Sequence, residues 1–101
     1  MKKAILEIIS ERTKDSPILS PEIEQLFEIK GGKVRDIIRE LRREGIPIAN
    51  SHKGYYMASD YSDLDLTIKD LHSRAMSMLV TIKKLRGCFN RSTQFEINYE
   101  D

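Results

Sequence analysis

The chain has 101 residues and a net charge of +1, with 40% hydrophobic and 33% charged residues, which suits one folded domain plus one further element. No apolar stretch of the sequence reaches the roughly 20 residues that cross a bilayer, which excludes a membrane-spanning helix. The one cysteine, Cys88, excludes an internal disulfide, and we recognise no export signal, so we expect a cytoplasmic protein.

The first predicted element is an amphipathic helix over residues 2–13. Its apolar residues form one stripe, made of Ile5, Leu6, Ile8 and Ile9. Glu7 and Glu11 interrupt the apolar run, which favours a helix over a signal peptide. Pro17 marks the following turn, and Ile18-Leu19 is long enough only for a stub of β-strand.

A short second helix is predicted from Ser20 to about Glu28. Ser20 is a favourable N-cap, and Pro21 suits the first helical position because the N–H that proline lacks has no partner there. Gly31-Gly32 is expected to end this helix, since glycine readily adopts the left-handed conformation that follows many last turns.

A third helix is predicted to begin at about Lys33 and to end at Gly45. Its apolar side follows i, i+3, i+4, i+7 spacing and holds Val34, Ile37, Ile38 and Leu41. Arg42 lies nearer the buried edge of this helix. Residues 30–53 carry seven basic and three acidic side chains, a net charge of +4, which suits a surface that faces phosphate. A merely solvated helix face is the alternative.

A β-hairpin is predicted directly after the third helix. Residues 46–50 form its first strand, which Pro47 assigns to a sheet edge, and residues 55–58 form the second. The turn between them contains His52 and Lys53.

The longest predicted helix follows the hairpin, with Ser62 and Asp65 at capping-box spacing and Gly87 at its end. Its apolar residues alternate steps of four and three through three heptads, which is typical of a coiled-coil seam. We use "seam" for these residues: Leu64, Ile68, Leu71, Ala75, Met78, Ile82 and Leu85. The seam predicts a homodimer, and folding back onto the domain is the alternative.

The predicted domain organisation has three parts. Residues 1–59 form the folded domain, residues 60–87 the long helix, and residues 88–101 a tail that is either strand-like or disordered. The tail alternates apolar and polar residues at Phe95, Ile97 and Tyr99, which is a strand pattern.

The order of these elements is that of a winged helix-turn-helix. The predicted fold class is therefore mainly α with a small β-hairpin: a winged helix-turn-helix followed by a long C-terminal helix. A helix fits the major groove of double-stranded DNA, where each base pair displays a distinct pattern of donors and acceptors. The first helix of such a pair braces the second, and the hairpin beyond can reach the adjacent backbone.

The residues themselves resemble this family. Residues 34–48 (VRDIIRELRREGIPI), followed by residues 54–58 (GYYMA), look like the recognition helix and wing of winged helix-turn-helix proteins. The DNA-binding domain of the biotin operon repressor has a similar leucine-arginine-x-x-glycine helix end and a similar glycine-tyrosine wing strand. Small winged-helix proteins of phages and prophages also resemble the chain, because a long helix follows their wing directly. The resemblance covers residues 3–58 and, more weakly, 60–86.

The resemblance implies sequence-directed binding of double-stranded DNA and a role in transcription regulation. A replication or recombination accessory factor and a protein-interaction module are the alternatives. The DNA-binding residues that it implies are Lys30, Lys33, Arg35, Asp36, Arg39, Arg43, His52 and Lys53. Asp36 is expected either to accept a hydrogen bond from cytosine or to pair with Arg39. Gly31-Gly32 replaces polar side chains that often open a recognition helix, which removes potential base contacts.

Neither enzymatic activity nor a cofactor nor a metal is expected. Gly31-Gly32 lacks the lysine-serine or lysine-threonine ending of a phosphate loop. His52, His72 and Cys88 are too scattered to form a zinc site. Asp60, Asp63 and Asp65 are better explained as helix-start residues than as a cation loop.

Overall fold

The computed structural model describes residues 1–90, which contain four helices and two strands. In chain order these are α1 (Lys2–Ser10), α2 (Ser20–Phe27), α3 (Gly31–Arg43), β1 (Ile48–Ser51), β2 (Gly54–Met57) and α4 (Tyr61–Asn90). The predicted fold class is confirmed: the chain is mainly helical, with a small antiparallel hairpin after the third helix and a long C-terminal helix.

The hydrophobic core lies between the three short helices and the first strand. Nine aliphatic side chains, each at most 3% exposed, form it: Ile5, Ile9, Ile18, Ile23, Val34, Ile37, Ile38, Leu41 and Ile48. The predicted apolar side of α3 is confirmed, because all four of its members are buried. Of the stripe predicted on α1, two members are fully buried, whereas Leu6 and Ile8 pack against the rim of the core.

In the small sheet, β2 lies between β1 on one side and the single residue Ile18 on the other. β2 pairs with β1 in antiparallel register on one side, with Ala49 opposite Tyr56. On its other side, Tyr55 exchanges two backbone hydrogen bonds with Ile18, at N–O distances of 2.8 and 2.9 Å. The predicted strand stub is therefore a single-residue bridge that connects the segment before α2 to the hairpin.

The outer edge of β1 is closed by a side chain of α4. The Asn50 backbone N–H donates to the Thr67 hydroxyl at 3.1 Å, and that hydroxyl donates back to the Asn50 carbonyl at 3.4 Å. Thr67 is only 5% exposed, so its hydroxyl replaces water at this edge. The Tyr56 hydroxyl also donates to the Asp63 carbonyl, at 3.4 Å. The hairpin is thus attached to the first two turns of α4.

We expect Thr67→Val to destabilise the folded chain by about 1–2 kcal/mol, because valine keeps the shape of threonine but leaves the half-buried Asn50 N–H without this acceptor. Thr81→Val is the matched control, since Thr81 is exposed and its hydroxyl donates only to Ser77 in its own helix. Urea unfolding followed by circular dichroism measures both. Equal midpoints for the two variants would contradict the described edge.

The chain divides into two compact units, residues 1–68 and a second that begins at Lys69. In the second unit the structure describes residues 69–90, which continue α4. Side chains 69–86 are all exposed. None of the helices described combines the length and the apolar character that a membrane span requires.

The ends of α2 differ from the sequence prediction. Leu19 is the N-cap, and Ser20 is the first helical residue, whose hydroxyl donates to the Glu24 carboxylate at 3.0 Å. The residue in left-handed conformation after α2 is Glu28 (φ 53°), not a glycine. Gly31-Gly32 instead opens α3, because the turn is completed before the glycine pair.

The ends of α4 and α1 also differ from those predicted from the sequence. The prediction that Ser62 and Asp65 form the cap of α4 is wrong: the Asp60 carboxylate accepts from the Asp63 N–H at 3.1 Å and from the Ser62 hydroxyl at 2.6 Å. These two donors hold the pKa of Asp60 below its ordinary value, the Ser62 hydroxyl contributing most. Gly87 does not end α4, which continues to Asn90, because a helix tolerates a single glycine at a cost of about 1 kcal/mol. α1 ends at Ser10 rather than at residue 13.

The strand pattern predicted at residues 95–99 lies outside the described residues.

Candidate nucleic-acid interface

The cationic side of α3 is fixed by the apolar side that the core holds. Because the aliphatic residues of α3 are buried at helical spacing, the charged residues between them point away from the core. We use "cationic face" for the exposed basic residues of this helix and its N-cap: Lys30, Lys33, Arg35, Arg39 and Arg43. Asp36, which was also predicted as a contact, is exposed on the same helix.

Asp36 forms an ion pair on this surface. Its Oδ1 accepts a hydrogen bond from Arg39 Nη1 at 2.9 Å, one helical turn away. Both side chains remain more than half exposed, so the pair contributes little to stability. It does bias the orientation of the Arg39 guanidinium, which keeps further N–H donors besides the one that it shares with Asp36.

Gly31 has a packing role at the start of α3 that the sequence interpretation missed. A Cβ at this position would lie 3.3 Å from both Arg35 Nη1 and Glu24 Oε2. The absence of a side chain therefore lets Arg35 of the cationic face lie over the first turn of α3, beside the carboxylate of α2. The glycine pair was interpreted as a helix break and as a loss of base contacts, but not as space for a neighbouring side chain.

Arg42 is directed toward the hairpin and does not belong to the cationic face. Its Nε donates to the Ile48 carbonyl and its Nη2 to Asn50 Oδ1, both at 2.9 Å. The side chain is partly buried, in agreement with its predicted place near the buried edge. Arg42 thereby sets the position of β1 against α3.

The two predicted residues of the hairpin turn, His52 and Lys53, are both exposed. The Lys53 N–H donates to the Ser51 hydroxyl at 3.1 Å, which shapes the turn without using the ammonium group. An open groove of about 200 Å³ separates the turn from the start of α2, and it is lined by residues 19–21, 50–52, 54 and 55. The beginning of α2 and the hairpin turn are therefore neighbours.

Local ion pairs neutralise two of the acidic residues in the basic segment. Lys2 of α1 bonds the Glu44 carboxylate, and this contact raises the pKa of Lys2 above its ordinary value. Asp36 is paired with Arg39, as described above. The carboxylates of Glu40 on α3 and of Glu24 beside Arg35 also oppose the field of the basic side chains of α3.

The predicted seam is exposed along most of its length. Its large members from Ile68 to Leu85 are 42–64% exposed, Ala75 is exposed, and Leu64 is half-buried. Phe89, four residues beyond Leu85, continues the seam and is 84% exposed. Phe89 was absent from the predicted seam because the helix was predicted to end at Gly87. Leu66, Met76, Leu79 and Val80 add exposed apolar area beside the seam.

Within residues 1–90, no group of three or more His, Cys, Asp or Glu side chains could hold a metal ion. The geometry instead offers an exposed row of cations on a helix that is anchored from behind, with a hairpin fixed next to it. Compared with known protein families, curated proteins and solved structures, the chain shows no significant match.

Proposed function

We propose that this protein binds double-stranded DNA, with α3 in the major groove and the hairpin turn on the sugar-phosphate backbone. The observation that carries the proposal is the cationic face: its side chains are exposed because the aliphatic side of α3 is held in the core. An α-helix is the element that the major groove accommodates, and its outward side chains are those that reach base edges and phosphates.

Different members of the face suit different parts of the duplex. Arg39, near the middle of α3 and oriented by Asp36, is the candidate for a base contact, since arginine is the commonest reader of guanine. Lys30, Lys33 and Arg43 lie toward the two ends of the helix and suit phosphates on either side of the groove. Lys53 adds a cation at the hairpin turn, with His52 beside it.

The hydrogen bonds of Arg42 support the role of the hairpin. Because its guanidinium bonds two groups of β1, the strand is held against α3 before any DNA is bound. Such preorganisation reduces the ordering that binding requires. The edge contacts of Thr67 restrain the same strand from its other side.

We further propose that the protein acts as a homodimer through the seam and regulates transcription from its binding site. The exposure of the seam in the single chain supports pairing, since contiguous exposed apolar surface marks interaction sites. Two linked copies bind two half-sites with an affinity that exceeds that of either copy alone.

The salt dependence of binding to a random-sequence duplex tests the proposal. For each copy of the domain that binds, about five phosphate contacts give a slope of about −4.5 when the logarithm of the association constant is plotted against the logarithm of salt concentration. Raising salt from 50 to 200 mM then weakens binding by roughly 500-fold for each bound copy. Fluorescence anisotropy of a labelled duplex gives the slope. A slope near zero, or no binding at 50 mM salt, would overturn the proposal and favour a protein-interaction module.

A further inference from the structure

The seam of α4 has the heptad spacing of a coiled coil. Its steps of four and three place residues alternately at the two core positions of the heptad, called a and d. The a positions are Ile68, Ala75, Ile82 and Phe89, and the d positions are Leu64, Leu71, Met78 and Leu85. Among parallel coiled coils, a β-branched residue at a with leucine at d favours two strands. Within residues 69–90 this rule is met by Ile82 at a and by Leu71 and Leu85 at d. The other core positions hold Ala75, Met78 and Phe89.

We propose that residues 69–90 pair with the same segment of a second copy as a parallel, two-stranded coiled coil. The proposal rests on the dimeric form of the proposed function and adds its orientation and strand number. These 22 residues extend about 33 Å as a helix and supply three heptads, which is the length that such pairing requires.

The residues that flank the seam agree with the parallel arrangement. In a parallel pair, position g of one helix faces position e of the next heptad in the other helix. Arg74 then lies opposite Leu79 of the second copy, and Thr81 lies opposite Arg86. No like charges meet among these flanking pairs in residues 69–90.

The strongest positive charge in this segment lies away from the predicted contact. Lys83 and Lys84 occupy positions b and c, which point outward in a two-stranded coil. Asp70, at position c, is paired within its own helix with Arg74. The basic C-terminal half of α4 therefore does not prevent two copies from aligning side by side.

Orientation decides what kind of DNA site the dimer recognises. Each copy of the domain is attached at the N-terminal end of its α4, so a parallel pair has both domains at the same end. A two-fold axis along the coil then relates two α3 helices, and the matching ligand is a single duplex with two inverted half-sites. An antiparallel pair would place its domains at opposite ends of the coil.

The chain's one cysteine allows a direct test of orientation, because Cys88 lies near the C-terminal end of the described helix. With pyrene attached to Cys88, a parallel dimer brings the two labels together and gives excimer fluorescence. An antiparallel pairing of residues 69–90 separates them by roughly 25 Å along the helix axis, which abolishes the excimer. The excimer signal is expected to vanish when labelled protein is mixed with excess unlabelled protein.

A matched pair of variants tests whether the seam is the contact. Ile82→Asp inserts a charge at position a and is expected to weaken dimerisation more than about 100-fold, whereas Ser77→Asp at outward position c is expected to leave it within about threefold. Ile82 and Ser77 are both exposed in the single chain, so residues 1–68 should unfold at the same urea concentration in the two variants.

The possible outcomes separate the two proposals. A sedimenting monomer at micromolar concentration, with a steep salt slope on DNA retained, would overturn the coiled coil but leave DNA binding intact. A dimer without excimer would overturn the parallel orientation, and a trimer or tetramer would overturn the two-stranded form. A dimer with excimer that Ile82→Asp dissociates and Ser77→Asp does not is the expected result.

Discussion

Replacing Gly54 with alanine is expected to destabilise the folded chain by about 4 kcal/mol, which is a large share of the stability of a domain of this size. Gly54 has φ +127°, a conformation that residues with a side chain rarely adopt. An added Cβ would also lie 2.3 Å from the Ile18 carbonyl oxygen and 2.9 Å from the Leu19 nitrogen. These are backbone atoms, and moving them breaks the bridge between Ile18 and Tyr55.

Gly45→Ala separates the two causes of this effect. Gly45 also has a positive φ, of 91°, but a Cβ there would meet nothing within 4 Å. Backbone strain alone then acts, and we expect a loss of about 1 kcal/mol. Urea unfolding of both variants at 25 °C measures the difference. A Gly54→Ala cost no greater than that of Gly45→Ala would contradict the close approach of the two chain segments.

The combined variant Lys33→Gln, Arg43→Gln, Lys53→Gln is expected to weaken binding to a random duplex by about 100-fold or more at 0.1 M salt. Binding releases about one fewer counterion for each phosphate contact that is lost. The slope of the logarithm of affinity against the logarithm of salt concentration should therefore become shallower by about 2.7 for each bound copy. Glutamine keeps much of the length and the polarity of the replaced side chains. All three positions are exposed, so the fold should be retained.

A variant with the same loss of charge elsewhere provides the control. Lys14→Gln, Lys83→Gln, Lys84→Gln removes three positive charges that lie outside the cationic face and the hairpin turn. Its salt slope should stay within about half a unit of that of the unchanged protein. Equal loss of affinity in both triple variants would mean that net charge, rather than the surface of α3, governs binding.

Periodicity was sufficient to predict most of the fold. In α3 the apolar residues recur at i, i+3, i+4 and i+7, and this spacing alone identified which of its side chains the core covers. The hairpin followed from its turn residues, and the strand stub at Ile18 from its two apolar residues between two helices. Such local patterns are strong because burying one side of an element requires that side to be apolar.

Helix ends were predicted less well, because several residues near each end compete for the same backbone groups. Ser20 was preferred to Leu19 as a cap on side-chain chemistry, yet Glu22 accepts from the Leu19 N–H, at 3.4 Å, without any polar group on Leu19. At α4, Asp60 rather than Ser62 caps the helix. Gly87 was interpreted only as the residue that ends α4, although a helix tolerates a single glycine within it.

The contacts that hold the candidate site together join residues far apart in sequence. Arg42 reaches Asn50, and Asn50 reaches Thr67, over gaps of 8 and 17 residues. No periodicity connects a polar residue on a strand edge with a threonine two turns into the next helix. The sequence could identify which cations are exposed, but not what fixes the hairpin beside them.

Arg42 has a consequence for experiments that search for DNA contacts by replacing basic residues one at a time. Its guanidinium is both a positive charge in the basic segment and the link between α3 and β1. Loss of that link would displace the hairpin, so the substitution would mimic a lost DNA contact although its side chain need never reach the duplex. In such a scan, position 42 reports on the architecture of the domain, and its neighbours Arg39 and Arg43 report on the ligand.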